Sequence, residues 1–358
     1  MHKYGVIIFM LFFVLTGNAQ TKTVGFNDPK ISYQGRINFL SNAAELSWPG
    51  TSATINFEGT SISAILQDLD TANYYNVIVD NRVVSKIHTE KEKKSYVLAS
   101  GLSDGKHQVQ LFKRTEWDKG KTLFYGFEVP EDGKILAASE PKKRKIEFYG
   151  NSITCGYANE DSEGKDRWFG YFQNNYLTYA AITARHFDAQ YYNNSKSGIG
   201  ILVSWFPFVM PDIYDRTDPT DSTSKWDFSK YTPDIVVINL FQNDSWLVNM
   251  PNHDSFKHYF GTKAPDVATI IAAYKSFVST IRSKYPNASI ICALGSMDAT
   301  REGSPWPGYI QKAVSEMNDK KIYTHFFTYK GASGHPLVNE QQIMANSLIE
   351  FIEKNIKW

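Results

Sequence analysis

Between residues 21 and 135 apolar and polar positions alternate in short runs: Ala53 to Phe57, Ser61 to Leu66, Tyr74 to Val79, His107 to Lys113 and Thr122 to Val129. A period of two turns one side of each run toward a core and the other toward water, as half-buried strands require. Pro49-Gly50, Glu58-Gly59, Asp80-Asn81 and Ser103-Asp104-Gly105 separate the runs as turn signals. No strong helical period interrupts them, so this segment is expected to form an all-β sandwich or jelly roll.

The texture changes after the charged run Pro141-Lys142-Lys143-Arg144-Lys145, which reads as a solvated linker face. Short apolar runs now alternate with helical patterns. Strands are expected over Lys145 to Tyr149, Ala189 to Asn193, Pro233 to Leu240, Ala288 to Leu294 and Lys321 to Phe326. Helices are expected near Asn175 to Phe187, through Val267, Ile270, Ile271, Tyr274, Phe277, Val278 and Ile281, and through Met344, Leu348, Ile349 and Ile352. The i, i+3, i+4, i+7 spacing makes one apolar face, and buried strands alternating with such helices imply a parallel sheet covered on both sides. The second domain is expected over residues 143–358, an α/β unit with helices flanking its sheet.

Composition narrows the class. A chain of 358 residues exceeds the usual single-domain size, in line with two domains. Net charge is +1 and no long basic block occurs, which leaves no nucleic-acid footprint. Residues 1–19 read as a signal peptide: Lys3 supplies charge, Val6 to Leu15 an apolar core, and Gly17-Asn18-Ala19 small residues for cleavage. That apolar stretch falls short of the about 20 residues a membrane span needs, so a secreted or periplasmic protein without a membrane span, acting as a monomer, is expected. Cys155 and Cys292 are expected to pack as small buried hydrophobes, with a disulfide between them as the alternative.

Four blocks, most at predicted strand ends, carry candidate chemistry. Gly150-Asn151-Ser152-Ile153-Thr154 presents Ser152 as nucleophile, although a lone serine there would ordinarily cap a helix. Ser197-Gly198 offers a backbone N–H that no Cβ shields, and Asn243, in Gln242-Asn243-Asp244, offers an amide donor. Gly334-His335-Pro336 supplies His335 as general base. A hydroxyl, an imidazole within reach and donors aimed at a tetrahedral oxyanion are the parts of acyl transfer. The acidic loop Asp212, Asp215, Asp218 and Asp221 does not follow the alternate-residue spacing of an EF-hand, and no metal or cofactor is expected.

In this order the four blocks resemble those of the SGNH (GDSL-like) hydrolases. With Phe57-Glu58-Gly59-Thr60-Ser61 and Lys113-Arg114-Thr115-Glu116 in the β-domain, the chain more specifically resembles carbohydrate esterase family 2. The resemblance implies a jelly-roll domain before an SGNH hydrolase domain, and removal of O-acetyl groups from plant polysaccharides such as xylan and glucomannan, often at O-6. It implies Ser152 as nucleophile, His335 as base, an oxyanion hole from Ser152, Gly198 and Asn243, and Trp306 as a sugar-stacking ring. Two features depart from the pattern. Ala332 and Ser333 stand where an aspartate commonly precedes the histidine, so a Ser-His dyad is expected, with a main-chain oxygen of Ser333 or Ala332 on Nδ1. Phe241 stands where many relatives have glycine. The alternatives are a lipase or lysophospholipase of the same fold, and a carbohydrate-binding protein whose catalysis has weakened.

Overall fold

The computed structural model describes residues 20–358; the expected signal peptide, residues 1–19, lies outside the described residues. The first part of the chain is antiparallel. It runs through β1 (Thr21–Gly25), β2 (Ile31–Gln34), β3 (Asn38–Phe39), β4 (Ala44–Leu46), β5 (Ser52–Glu58) and β6 (Ile62–Asp68). It continues through β7 (Tyr74–Val79), β8 (Arg82–His88), β9 (Lys94–Ala99), β10 (Lys106–Lys113), β11 (Thr122–Pro130) and β12 (Lys134–Ile135). Two sheets result, ordered β3-β4-β11-β6-β9 with β1 on β11, and β12-β5-β10-β7-β8 with β2 on β5. Ile55, Phe57, Val77, Val109 and Leu111 of one sheet meet Ala64, Leu66, Phe124 and Phe127 of the other in a single apolar core.

The second part is the expected α/β unit. Its parallel sheet has the order β14-β13-β15-β16-β17, formed by β13 (Arg144–Gly150), β14 (Ala189–Ser195), β15 (Ile235–Asn239), β16 (Ser289–Leu294) and β17 (Ile322–Phe326). Alternation along β15 serves both faces. Val236 and Ile238 join the core beneath α6 (Val267–Lys284) and α7 (Trp306–Ser315), while Ile235 and Val237 join that beneath α2 (Tyr179–His186) and α8 (Val338–Asn355). The remaining helices are short: α1 (Ser152–Cys155), α3 (Met210–Ile213), α4 (Gln242–Leu247) and α5 (Asp254–Phe260). None of the helices among the described residues is long and apolar enough to cross a membrane.

The two parts interpenetrate. Trp48, fully buried, lies in the core beneath α6 and donates its indole N–H to Thr217 O at 2.9 Å. Ile78 and Phe112 of the antiparallel sheet pack into the core on the opposite face of the parallel sheet. The Arg36 guanidinium reaches Glu147 of β13 at 2.8 Å and the Tyr149 hydroxyl at 2.9 Å, and the Arg36 and Glu147 side chains are fully enclosed.

Candidate active site

The centre of the parallel sheet sets the location. At its carboxyl end, Gly150 of β13 stands in register with Ser195 of β14 and Asn239 of β15, so the loops leaving these three strands emerge side by side. A Cβ on Gly150 would fall 2.1 Å from Thr154 Oγ1, which is why the tight entry into α1 requires glycine. Asn151 caps that helix, its side-chain oxygen accepting from the Ile153 N–H at 3.1 Å. With capping assigned to Asn151, the Ser152 hydroxyl is left for another partner. It meets His335 Nε2 at 2.8 Å.

His335 is held by a carboxylate, which corrects the expected dyad. Asp166 Oδ2 lies 3.0 Å from His335 Nδ1, and the same carboxylate accepts the His335 backbone N–H at 2.9 Å through Oδ1. Neither Ser333 nor Ala332 takes the role assigned to their main-chain oxygens. An orienting acid can come from any loop that folds over the histidine, and here it stands 169 positions earlier in the chain. Gly334, at φ +82, allows the approach, since a Cβ there would stand 3.3 Å from Asp166 Oδ2. Partial burial acts to raise the Asp166 pKa, but hydrogen bonds from the His335 ring and main chain and the charge of Lys330 carry it below its ordinary value. The Tyr157 ring packs against the imidazole at 4.6 Å and its hydroxyl donates to Asp166 O at 3.4 Å.

The candidate oxyanion donors Gly198 and Asn243 stand in the segments that follow β14 and β15, the strands flanking β13. Gly198 adopts φ +83, a conformation favoured by glycine, and among the described residues neither its N–H nor that of Ser152 has an acceptor. The Asn243 amide gives one hydrogen to Ile199 O at 2.8 Å, and its oxygen accepts from Trp205 Nε1 at 3.0 Å, which fixes its plane and leaves the second N–H hydrogen without a protein partner. The adjacent Asp244 accepts the N–H groups of Ile201, Leu202 and Val203 at 3.1, 2.7 and 3.1 Å and so anchors the loop after Gly198. Burial pushes the Asp244 carboxyl up, to about 6, against those donors. Phe241 has φ +84, so this position takes the left-handed conformation with a bulky side chain.

Trp306 is a correction. It opens α7 at 6% exposure with its ring against Phe241 and Tyr309, at 5.1 and 5.5 Å, so it fills the core and offers no open face to a sugar. The exposed rings lie elsewhere. Trp205, 38% exposed, stands beside Gly198 and Asn243, and Trp168, 60% exposed, follows Asp166 by two residues. Neither ring, nor Asp166, has a local sequence signal that marks it. Cys155 and Cys292 are free and buried, as expected of small apolar packing residues. The four loop aspartates do not converge: Asp212 accepts from the Val209 N–H, Asp215 meets Lys225, Asp218 meets Lys121, and Asp221 closes a turn with Thr223. No group of three or more His, Cys, Asp or Glu side chains among the described residues is arranged to hold a metal ion.

Comparison with known proteins gives two family matches, "Carbohydrate esterase 2 N-terminal" over residues 33–138 and "GDSL-like Lipase/Acylhydrolase family" over residues 148–326. The chain is 34% identical over 350 residues to the cellulase/esterase CelE of Acetivibrio thermocellus, an alignment that takes in 94% of this chain and 41% of that protein. It is 24% identical over 352 residues to an acetylxylan esterase / glucomannan deacetylase of Cellvibrio japonicus, covering 95% of this chain and 93% of that protein. A solved family two carbohydrate esterase from Clostridium thermocellum in complex with cellohexaose superposes with a TM-score of 0.80 at 34% identity, covering 90% of this chain and 98% of that one.

Proposed function

Since the chain belongs to carbohydrate esterase family 2, with a GDSL-like hydrolase domain following its β-domain, we propose that it is an O-acetyl esterase acting on acetylated polysaccharide such as xylan or glucomannan. The single observation that carries the reading is the chain of hydrogen bonds from Ser152 Oγ through His335 to Asp166, 2.8 and 3.0 Å long. Ser152 Oγ attacks the acetyl carbonyl carbon as His335 Nε2 takes the hydroxyl proton. The oxyanion is received by the N–H groups of Ser152 and Gly198 and the amide of Asn243. His335 returns the proton to the departing sugar oxygen, leaving acetyl-Ser152. Water then attacks that ester, giving its proton to Nε2, and acetate leaves as the proton passes back to Ser152. Asp166 holds the imidazole orientation and stabilises the imidazolium formed in each half.

Trp205, beside Gly198 and Asn243, and Trp168, two residues after Asp166, suit flat sugar rings as exposed amphipathic surfaces. The remaining elements of the proposal are the domain division at 21–135 and 143–358 and export directed by residues 1–19. Ser152→Ala is expected to abolish acetate release from acetylated xylan or glucomannan while melting temperature stays within a few degrees; retained turnover would sink the assignment. A series of p-nitrophenyl esters tests the acyl group. Rates should peak at acetate, and rates rising with chain length would point to a lipase instead.

A further inference from the structure

A buried side chain of the β-domain reaches the loop that carries Gly198. Glu116 lies in the connection between β10 and β11 and is fully buried, yet its carboxylate finds partners in the hydrolase domain. Oε2 accepts the Ser197 backbone N–H at 2.7 Å, and Oε1 accepts the Ser197 hydroxyl at 2.5 Å and the Gln173 amide at 3.2 Å. Cys155 Sγ, in the helix that begins with Ser152, lies 3.7 Å from Oε2. The main chain is fixed as well, with the Glu116 N–H donating to Gln173 Oε1 at 3.3 Å. Among the described residues no lysine or arginine forms an ion pair with this carboxylate. Burial and then the charge of Asp118 push its pKa up, opposed by Lys196 and the Ser197 donors. An enclosed carboxylate without a bridging cation is costly, and hydrophobic residues of similar volume would usually serve stability better.

Resting on the ester-hydrolase reading above, we infer that Glu116 is a positioning residue: by clamping Ser197 from the β-domain it sets the direction of the Gly198 N–H in the oxyanion hole. The turn bond from Ile199 N–H to Lys196 O, 3.3 Å long, also restrains Gly198. Its carbonyl accepts from Trp205 N–H at 3.1 Å, and its own N–H has no protein acceptor among the described residues. The Ser197 bonds hold the residue from which the Ser197–Gly198 peptide, the one that carries that N–H, departs. Rate in such a site depends steeply on donor placement: a misplacement of about 1 Å can cost roughly 100-fold, and loss of a donor about 10²- to 10³-fold.

Glu116→Ala should lower kcat on p-nitrophenyl acetate by about 10- to 100-fold per titrated active site, with KM changed less than about threefold. Glu116→Gln should recover most of the rate, because its oxygen can still accept from the Ser197 N–H while its amide donates to the Ser197 hydroxyl. Ser197→Ala, which removes only the hydroxyl bond, should fall between them and keeps the test open if Glu116→Ala does not fold. Labelling of Ser152 by a p-nitrophenyl phosphonate, whose P–O group requires the same donors, should slow in the same order. That readout needs no sugar, so it judges the inference separately from the polysaccharide assignment, which fails on its own if acetylated glycan is not turned over. A variant series with wild-type kcat per titrated site, or one in which only KM or only melting temperature moves, would overturn the inference.

Discussion

Three side chains from separate parts of the chain meet in the proposed reactive group. Asp166 fixes the imidazole through two atoms of His335, its ring nitrogen and its backbone N–H, so a change at 166 should disturb orientation more than substrate binding. Asp166→Asn is expected to reduce kcat by about 10²- to 10⁴-fold with KM little altered. It also has a pH signature. The folded-state pKa of Asp166 lies below its ordinary value, so its contribution to stability is complete above the unfolded carboxylate range and fades as pH falls through the folded value. The melting-temperature gap between wild type and Asp166→Asn should therefore narrow from neutral to strongly acid pH; a gap that widened would contradict the assignment. Ser152, His335, Gly198 and Asn243 could be named as candidates from the sequence because each stands in a short block at a strand end or before a helix. Asp166 was not, because nothing at Gly164-Lys165-Asp166-Arg167 indicates which loop will fold over the histidine. Trp306 misled for a related reason: an aromatic residue between prolines reads alike in a cleft or a core, and only packing decides.

At the level of elements, long strands were readable and short or peripheral ones were not. β5, β10 and β11 alternate over most of their length because one side of each is buried, whereas β7 is buried on both sides beyond its first residue and β8 has exposed or half-buried positions throughout and gives no such signal. β3 and β12, at two residues each, are too short for a period to develop. The start of α4 shows a conflict between backbone and packing. Phe241 occupies the left-handed region while its ring packs on Tyr274 and Trp306 at 4.7 and 5.1 Å. Removing a buried aromatic costs about 3–5 kcal/mol, against relief of about 1–2 kcal/mol of backbone strain. Phe241→Gly is thus expected to destabilise the protein by about 2–3 kcal/mol in denaturant unfolding with an unchanged m-value. A stabilised variant would mean that the backbone term dominates.

Over the whole molecule, the boundary between sheets is not a boundary between independent cores. Trp48, Ile78 and Phe112 are residues of the β-domain that complete the hydrolase cores, and Arg36 is enclosed against Glu147 on the central strand. Thermal unfolding should follow one cooperative transition, and two resolved transitions would show the cores to be separable. Arg36→Ala leaves Glu147 enclosed without its cation and should cost about 3–5 kcal/mol, of which the double variant Arg36→Met, Glu147→Gln should restore a large part. The alternating texture disclosed both domains but not this mutual burial, because Arg36 and Trp48 look like surface and core residues of any sandwich. The pairing also constrains biosynthesis. Glu147 follows Arg36 by 111 residues, an interval of roughly 5–20 seconds at ordinary translation rates. Throughout that time the guanidinium must stay hydrated, since burial before its carboxylate exists would strand a charge. The nascent sandwich therefore has to keep that face wet and open, and the last surface to dry is the one that joins it to the strand leading to Ser152.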